Sequence, residues 1–501
     1  MAVTRSNTTV TKSGKVTKTA SRKQGSAKLS AAQERALHAI AIDGTTCLGG
    51  RKPAPPSTAG EAYKSGGAWW RDVEQPPAYT SKARSRKRKL EAPTAPDDDL
   101  RFLGEAQKQL RGLKVPRKST RRRETDEILG YLDGMEAPSG ERVRHQGIDA
   151  GQPPADAYFL SSADARRLLS SNAHINAPVF VAGGANTANI IETDDLRRPI
   201  EQILDWLVDP DEKHDVDEAK NGSTSQITTS EIRDRFLHHN GFVDGSQPYN
   251  FPDIATPFHS AGVPQFVQTP SCNLLQDVTR YLLDVGPNNI CQDGCKGRKA
   301  NNNKCCSKHF LTTQELCELQ IGWRHWQGTV MLAEAGALTL PHLDKWGFGT
   351  HISCLEGEIG FAWLSHPTDK QLESVLQKLG KTEGRWLFKV LRPGDAMYMS
   401  PGTPHLVFRL PRGKQTLGLA GLAVRRCDFG RWVQLLTLEG EKGEEYDEAF
   451  GDVVRGLVTG MEHMLSRVAD QHGVAKQYGG KKQLAKIKKA LEKLKKLLGM
   501  R

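Results

Sequence analysis

The 501-residue chain has no apolar run long enough to cross a bilayer, and no signal-peptide-like hydrophobic stretch near its start. These absences predict a soluble, intracellular protein. Acidic residues are outnumbered by basic ones towards both ends. Residues 1–150 hold 29 Lys+Arg against 17 Asp+Glu, and residues 471–501 hold 10 against 1. The intervening 151–470 hold 31 against 40, so an acidic body is flanked by two basic extensions. Basic extensions attract polyanions through counterion release. An acidic body favours a basic peptide over a nucleic-acid strand.

Periodic apolar runs are also scarce in residues 1–150, which are rich in Ser, Thr, Lys, Arg, Pro and Gly. The expectation is a mostly disordered basic tail with one helix near residues 31–40. Two compact basic clusters, Ser85–Leu90 and Pro116–Arg123, read as nuclear-import or phosphate-contacting segments, or else as solvated charge runs. The nucleus is the expected location.

Nine cysteines in an intracellular chain do not make a disulfide framework. Cys291, Cys295, Cys305 and Cys306 cluster with His309 in a Gly/Asn/Lys-rich stretch. They offer enough ligands for tetrahedral Zn2+. Adjacent Cys305 and Cys306 rarely serve one ion together, and reduced surface thiols are the alternative.

What the sequence does hold is concentrated between residues 325 and 425. Short β-prone runs, punctuated by Gly and Pro, surround Pro341-His342-Leu343-Asp344 and the later Pro401-Gly402-Thr403-Pro404-His405. His-x-Asp with a distant His is the ligand pattern of the two-His-one-carboxylate triad, which leaves one face of an octahedral metal open. On a strand, residues i and i+2 point the same way, so His342 and Asp344 can converge on one ion. Arg392-Pro393-Gly394-Asp395 reads as a tight turn.

A Gly, five residues and then His-x-Asp, followed by a Pro-Gly turn and a His, resembles the two cupin motifs. The region is more specifically similar to a JmjC domain of a divergent fungal type. The residues that carry this are 341–350, 355–366, 391–395 and 399–410, with weaker likeness around Tyr158, Ala177 and Asn273. The resemblance covers roughly residues 155–435 and implies a double-stranded β-helix with flanking helices. It also implies an Fe(II)- and 2-oxoglutarate-dependent oxygenase with iron on His342, Asp344 and His405. Thr339 matches a position where such enzymes place a threonine on 2-oxoglutarate.

The family usually places a Lys for the distal carboxylate of 2-oxoglutarate on the strand after His-x-Asp. Here those slots hold Ile359 or Phe361, and no Lys lies between 346 and 369. A buried dicarboxylate without a cation is costly. Arg409, on the strand parity of His405, and Lys389, on the preceding strand, are the substitutes on offer. Arg409 at a solvent-facing rim is the competing reading. Tyr398 and Thr350 are weaker polar candidates.

Elsewhere, residues 163–169, 198–207 and 372–379 read as helices, and 209–260 as a long polar insertion. After 441 the apolar spacing turns helical. Leu484, Ile487, Leu491, Leu494 and Leu498 form a short heptad seam in a Lys-rich helix. That helix either packs on the body or binds nucleic acid, an acidic partner or an anionic membrane.

The expected organisation is therefore a disordered tail (1–150), a mostly β JmjC-like domain (155–437) and a basic helical region (441–501). The expected function is nuclear oxidation of a protein substrate, as histone lysine demethylation or side-chain hydroxylation. The alternative is a catalytically inactive chromatin or nucleic-acid-binding adaptor.

Overall fold

The computed structural model describes residues 96–148, 154–187, 190–192, 195–207, 209–217, 224–238, 248–255, 262–279, 328–377, 381–442, 448–468 and 474–500. All of them fall in one compact unit, Gln75–Arg501.

Strands β7 (Thr329–Ala333), β8 (Leu338–His342), β9 (Gly349–Glu356), β10 (Ile359–Leu364), β11 (Trp386–Leu391), β12 (Ala396–Met399), β13 (His405–Phe408) and β14 (Thr416–Ala423) carry the centre of the molecule. Four of them form an antiparallel sheet in the order β11-β10-β13-β8. The others join β1 (Val143–Arg144), β2 (Ala157–Phe159), β3 (Val179–Val181) and β6 (Asn250–Ala255) in an eight-stranded mixed sheet. Its order is β1-β2-β3-β12-β9-β14-β7-β6, parallel only between β1, β2 and β3.

From β7 to β14 the chain passes back and forth between the two sheets, and glycines make the sharp passages possible. Gly357, between β9 and β10, has φ +76°, and a Cβ there would lie 2.4 Å from the Gln415 carbonyl oxygen. The expected Arg392–Asp395 turn links β11 to β12. It is closed by Asp395 N–H on the Arg392 carbonyl at 2.8 Å and by the Asp395 carboxylate on Arg392 N–H at 3.0 Å. Period-two alternation then fills the space between the sheets. Phe361, Trp363, Leu387 and Leu391 from the small sheet meet Ile352, Cys354, Met397 and Met399 from the large one.

The outward face of the small sheet is also buried, by residues 96–148 of the tail expected to be mostly disordered, and this part of that expectation is corrected. Helices α1 (Pro96–Arg111) and α2 (Thr120–Leu132) lie over it. Phe102, Leu103, Ala106 and Leu110 of α1, with Ile128, Tyr131 and Leu132 of α2, pack on Phe388, Val390, Leu406 and Phe408. Each buried Leu, Ile, Val or Phe among them contributes about 1.5–3 kcal/mol by leaving water. Averaging composition over the whole tail hid this helical hairpin, because its solvent faces are densely charged. The basic cluster at 116–123 is correspondingly part of the fold. Ser119 caps α2, and Arg121 is buried and donates to the Gly336 carbonyl at 2.6 Å. Residues 1–95, including the cluster at 85–90 and the helix expected near 31–40, lie outside the described residues.

Helices α3 (Ser162–Ser170), α4 (Pro199–Leu204) and α5 (Thr229–His238), with a hairpin of β4 (Lys213–Asp217) and β5 (Thr224–Thr228), pack around the large sheet. The segment 209–260 is therefore no plain insertion: its last strand, β6, forms the edge of the large sheet beside β7. Helix α6 (Asp369–Leu376) starts at a Thr368–Gln371 capping box, close to where a helix was expected.

Helices α7 (Phe429–Lys442), α8 (Glu448–Val468) and α9 (Lys481–Leu497) share one apolar cluster with Leu274, Leu275, Val278 and Phe348. The heptad seam of α9 is buried there, so the C-terminal helix packs on the body. The expected boundaries at 155 and 437 thus cut through two apolar clusters. Among the described residues, no helix is long and apolar enough to cross a membrane.

Candidate metal centre

Strands β8 and β13 run antiparallel with His342 opposite His405. The register then slips: Val407 pairs with Thr339, so β8 carries one residue more than β13 in this stretch. Pro341, which has no N–H to give to a ladder, sits in that bulge. Residues three apart on a regular strand face opposite sides. The bulge lets Thr339 and His342 line the same cavity.

Both imidazoles are oriented by the chain that delivers them. His342 Nδ1 lies 2.9 Å from the Leu340 carbonyl oxygen, and His405 Nδ1 lies 3.0 Å from that of Thr403. A carbonyl only accepts, so Nδ1 carries the hydrogen and Nε2 is left with its lone pair. The two Nε2 atoms sit 3.9 and 3.8 Å from Asp344 Oδ1. Asp344 lies beyond the end of β8, where it opens a short 3-10 turn. Its other oxygen, Oδ2, accepts a hydrogen bond from Thr350 on β9, which turns Oδ1 towards the histidines.

His405 is buried, and that burial pushes its pKa down to about 4. Neighbouring His342 lowers it further, while Asp344 and the Thr403 carbonyl act in the opposite sense. It is therefore neutral at pH 7, as a metal ligand must be. The ring of Phe361 stacks on it at 5.3 Å between centroids. Two imidazole nitrogens and one carboxylate oxygen, all within 4.8 Å of one another, form a donor set that can hold a metal ion.

Helix α7 braces both ligand turns, a feature that sequence reasoning missed. After Asp344, Trp346 has φ +59°. Its N–H donates to Glu439 at 3.1 Å, and its carbonyl accepts the Trp432 indole N–H at 2.8 Å. Leu435 then touches both turns. A Cβ on Gly347 would lie 2.8 Å from Leu435 Cβ, and one on Gly402, in the turn before His405, 2.9 Å from Leu435 Cδ2.

The triad opens on a cavity of about 200 Å³, room for a small ligand. Asn250, Thr339, Ile359, Val407 and Arg409 are among its other lining residues. Thr339 Oγ1 accepts from Asn250 Nδ2 at 3.3 Å. Arg409 is 3% exposed; its Nε donates to Thr416 Oγ1 at 2.6 Å, while Nη1 is buried with no hydrogen-bond partner among the described residues. Burial lowers its pKa to about 10, which leaves it charged at neutral pH. The solvent-rim reading of Arg409 is thereby excluded.

Other candidates fall elsewhere. Lys389 does not line the cavity; its ammonium meets Asp99 Oδ2 on α1 at 2.7 Å. Sequence reasoning missed that partner because Asp99 lay in a stretch read as disordered. Tyr398 is fully buried in the apolar cluster around β2, β3 and α3. Cys291, Cys295, Cys305, Cys306 and His309 lie outside the described residues. Compared with known protein families and with curated proteins, the chain matches none.

Proposed function

We propose that this chain is a JmjC-type oxygenase that uses Fe(II) and 2-oxoglutarate to oxidise a protein substrate. The observation that carries the reading is the combination in one cavity of a His-Asp-His donor set and a buried arginine with an uncommitted nitrogen. Strands that alternate between a larger and a smaller sheet are consistent with a double-stranded β-helix.

His342, Asp344 and His405 would hold the metal through Nε2, Oδ1 and Nε2. Arg409 would hold the distal carboxylate of the co-substrate, with Thr339 as a second polar contact. An arginine suits a planar carboxylate, and its charge offsets the cost of burying a dianion. Ile359 and Phe361, in the slots where the family's lysine is expected, close the wall against water. Such a centre, when loaded, supplies O2-dependent oxidation of a C–H bond. The net acidic body favours a Lys/Arg-rich peptide such as a histone tail, and a nuclear location would bring the two together.

The apolar lysine slot favours a second reading, an adaptor without turnover. The full chain, supplied with Fe(II), ascorbate and 2-oxoglutarate, should form succinate, and Asp344→Ala should not. Metal binding without any 2-oxoglutarate binding would support the adaptor instead.

A further inference from the structure

The outer face of α9 carries a row of lysines. Lys482, Lys486, Lys489, Lys493 and Lys496 follow one another at intervals of four, three, four and three residues, all exposed. That spacing keeps them on one helix face. It is the face opposite the seam of Leu484, Ile487, Leu491 and Leu494, which are at most 4% exposed. Lys493 shares its charge with Glu441 at 2.8 Å, and Lys495, beside the row, pairs with Glu462 at 2.6 Å. Lys481 and Lys488 flank the row, and Glu492 is the single acid on the helix.

We infer that this lysine row is a binding surface for duplex nucleic acid, held through its phosphate backbone and without regard to sequence. Three observations choose this partner. An amphipathic helix binds a membrane by burying its apolar face in the lipid boundary, and here that face is already inside the protein. An acidic protein partner would call for a groove, aromatic anchors or arginine forks; the row offers only lysine point charges on a convex helix. Regularly spaced phosphates need nothing more. From Lys482 to Lys496 the helix advances roughly 21 Å, alongside about twelve phosphate charges of a duplex. The surface is also rigidly placed. Gly430 of α7 packs against Gln483 and Ile487 of α9, while Leu435 of the same helix touches both ligand turns.

The test uses the full chain and a labelled random-sequence DNA duplex, with anisotropy read across a series of salt concentrations. Lys482→Gln, Lys486→Gln, Lys489→Gln and Lys496→Gln combined should weaken binding at least tenfold at low salt. The slope of log K against log salt should become shallower by about 3.6, because each phosphate contact contributes about 0.9. Melting temperature and circular dichroism should stay unchanged, since all four side chains are exposed. A parallel variant neutralises Arg86, Lys87, Arg88 and Lys89, and it should leave the α9 contribution to the slope intact. Unchanged affinity and slope in the α9 variant overturn the inference. So does a loss confined to the 86–89 variant, or a loss of binding to phosphatidylserine vesicles with DNA binding intact.

Discussion

His342 and His405 stand directly opposite each other on neighbouring strands, ring centroids 4.1 Å apart. Each points its Nδ1 at the carbonyl two residues upstream in its own chain. The same local device thus fixes both tautomers, and it does so before any ligand arrives. The following outcomes are expected from that arrangement and its surroundings.

The folded chain should bind one divalent ion, which titration with Mn(II) or Co(II) can measure. His342→Ala should lower the affinity by at least a hundredfold, because one of three donors is gone. A His342→Ala protein that still binds one ion with wild-type affinity would mean that the metal sits elsewhere.

Thr350 should act through Asp344 rather than on a ligand of its own. Thr350→Val removes the hydrogen bond to Oδ2 and should weaken metal binding about 10–100-fold, as losses around a ligand commonly do. Thr350→Ser should restore it. Equal effects of Val and Ser would point to packing as the role of this side chain.

Arg409 and Lys389 should separate cleanly. Arg409→Leu should raise the 2-oxoglutarate requirement tenfold or more, since a charge-assisted hydrogen bond is worth about 1.5–3 kcal/mol. Metal affinity should barely change. Lys389→Leu should leave 2-oxoglutarate binding alone but cost stability, because buried Asp99 loses the Lys389 ammonium at 2.7 Å and is left with Arg392 at 2.8 Å. Calorimetric titration with 2-oxoglutarate and a thermal melt distinguish the two outcomes.

Asp156 should make the fold acid-sensitive. Burial pushes its pKa up, but Ser365, Arg385 and Arg142 more than offset this and hold it below the ordinary carboxylate value. A depressed pKa gives stability that is present above the unfolded value and lost as pH falls through the folded one. Wild type should therefore outlast Asp156→Asn at pH 7, and the gap should close below about pH 4. Denaturant melts at both pH values would show whether the gap behaves this way.

A fragment beginning at residue 155 should be less stable than one beginning at 96. It lacks α1 and α2, so Phe388, Val390, Leu406 and Phe408 meet water. Equal melting temperatures would show that the hairpin contributes nothing.

The triad was legible in the sequence because its motif and turn chemistry are local, although Asp344 lies past the end of β8 rather than on the strand with His342. His342, Asp344 and His405 each sit beside a Gly or Pro turn that fixes where the side chain goes. Arg409 was legible by strand parity alone, although β13 ends one residue before it. The rest needed contacts between distant segments. Leu435 under Gly347 and Gly402, and Asp99 on Lys389, leave no periodic signal. The α1–α2 hairpin was missed for another reason: a charged solvent face and a narrow apolar face average to a composition that resembles disorder.

The position of β14 bears on how the molecule comes together. Although last in sequence, it lies between β9 and β7 and pairs with both. Until residues 416–423 arrive, those two strands each present an unpaired edge with apolar neighbours, the condition under which chains pair with the wrong partner. Assembly therefore waits on the C-terminal third of the chain, and contacts this distant in sequence form slowly. Interruption of synthesis before residue 416 should release a product that aggregates, whereas an altered residue within the finished sheet should be tolerated far better.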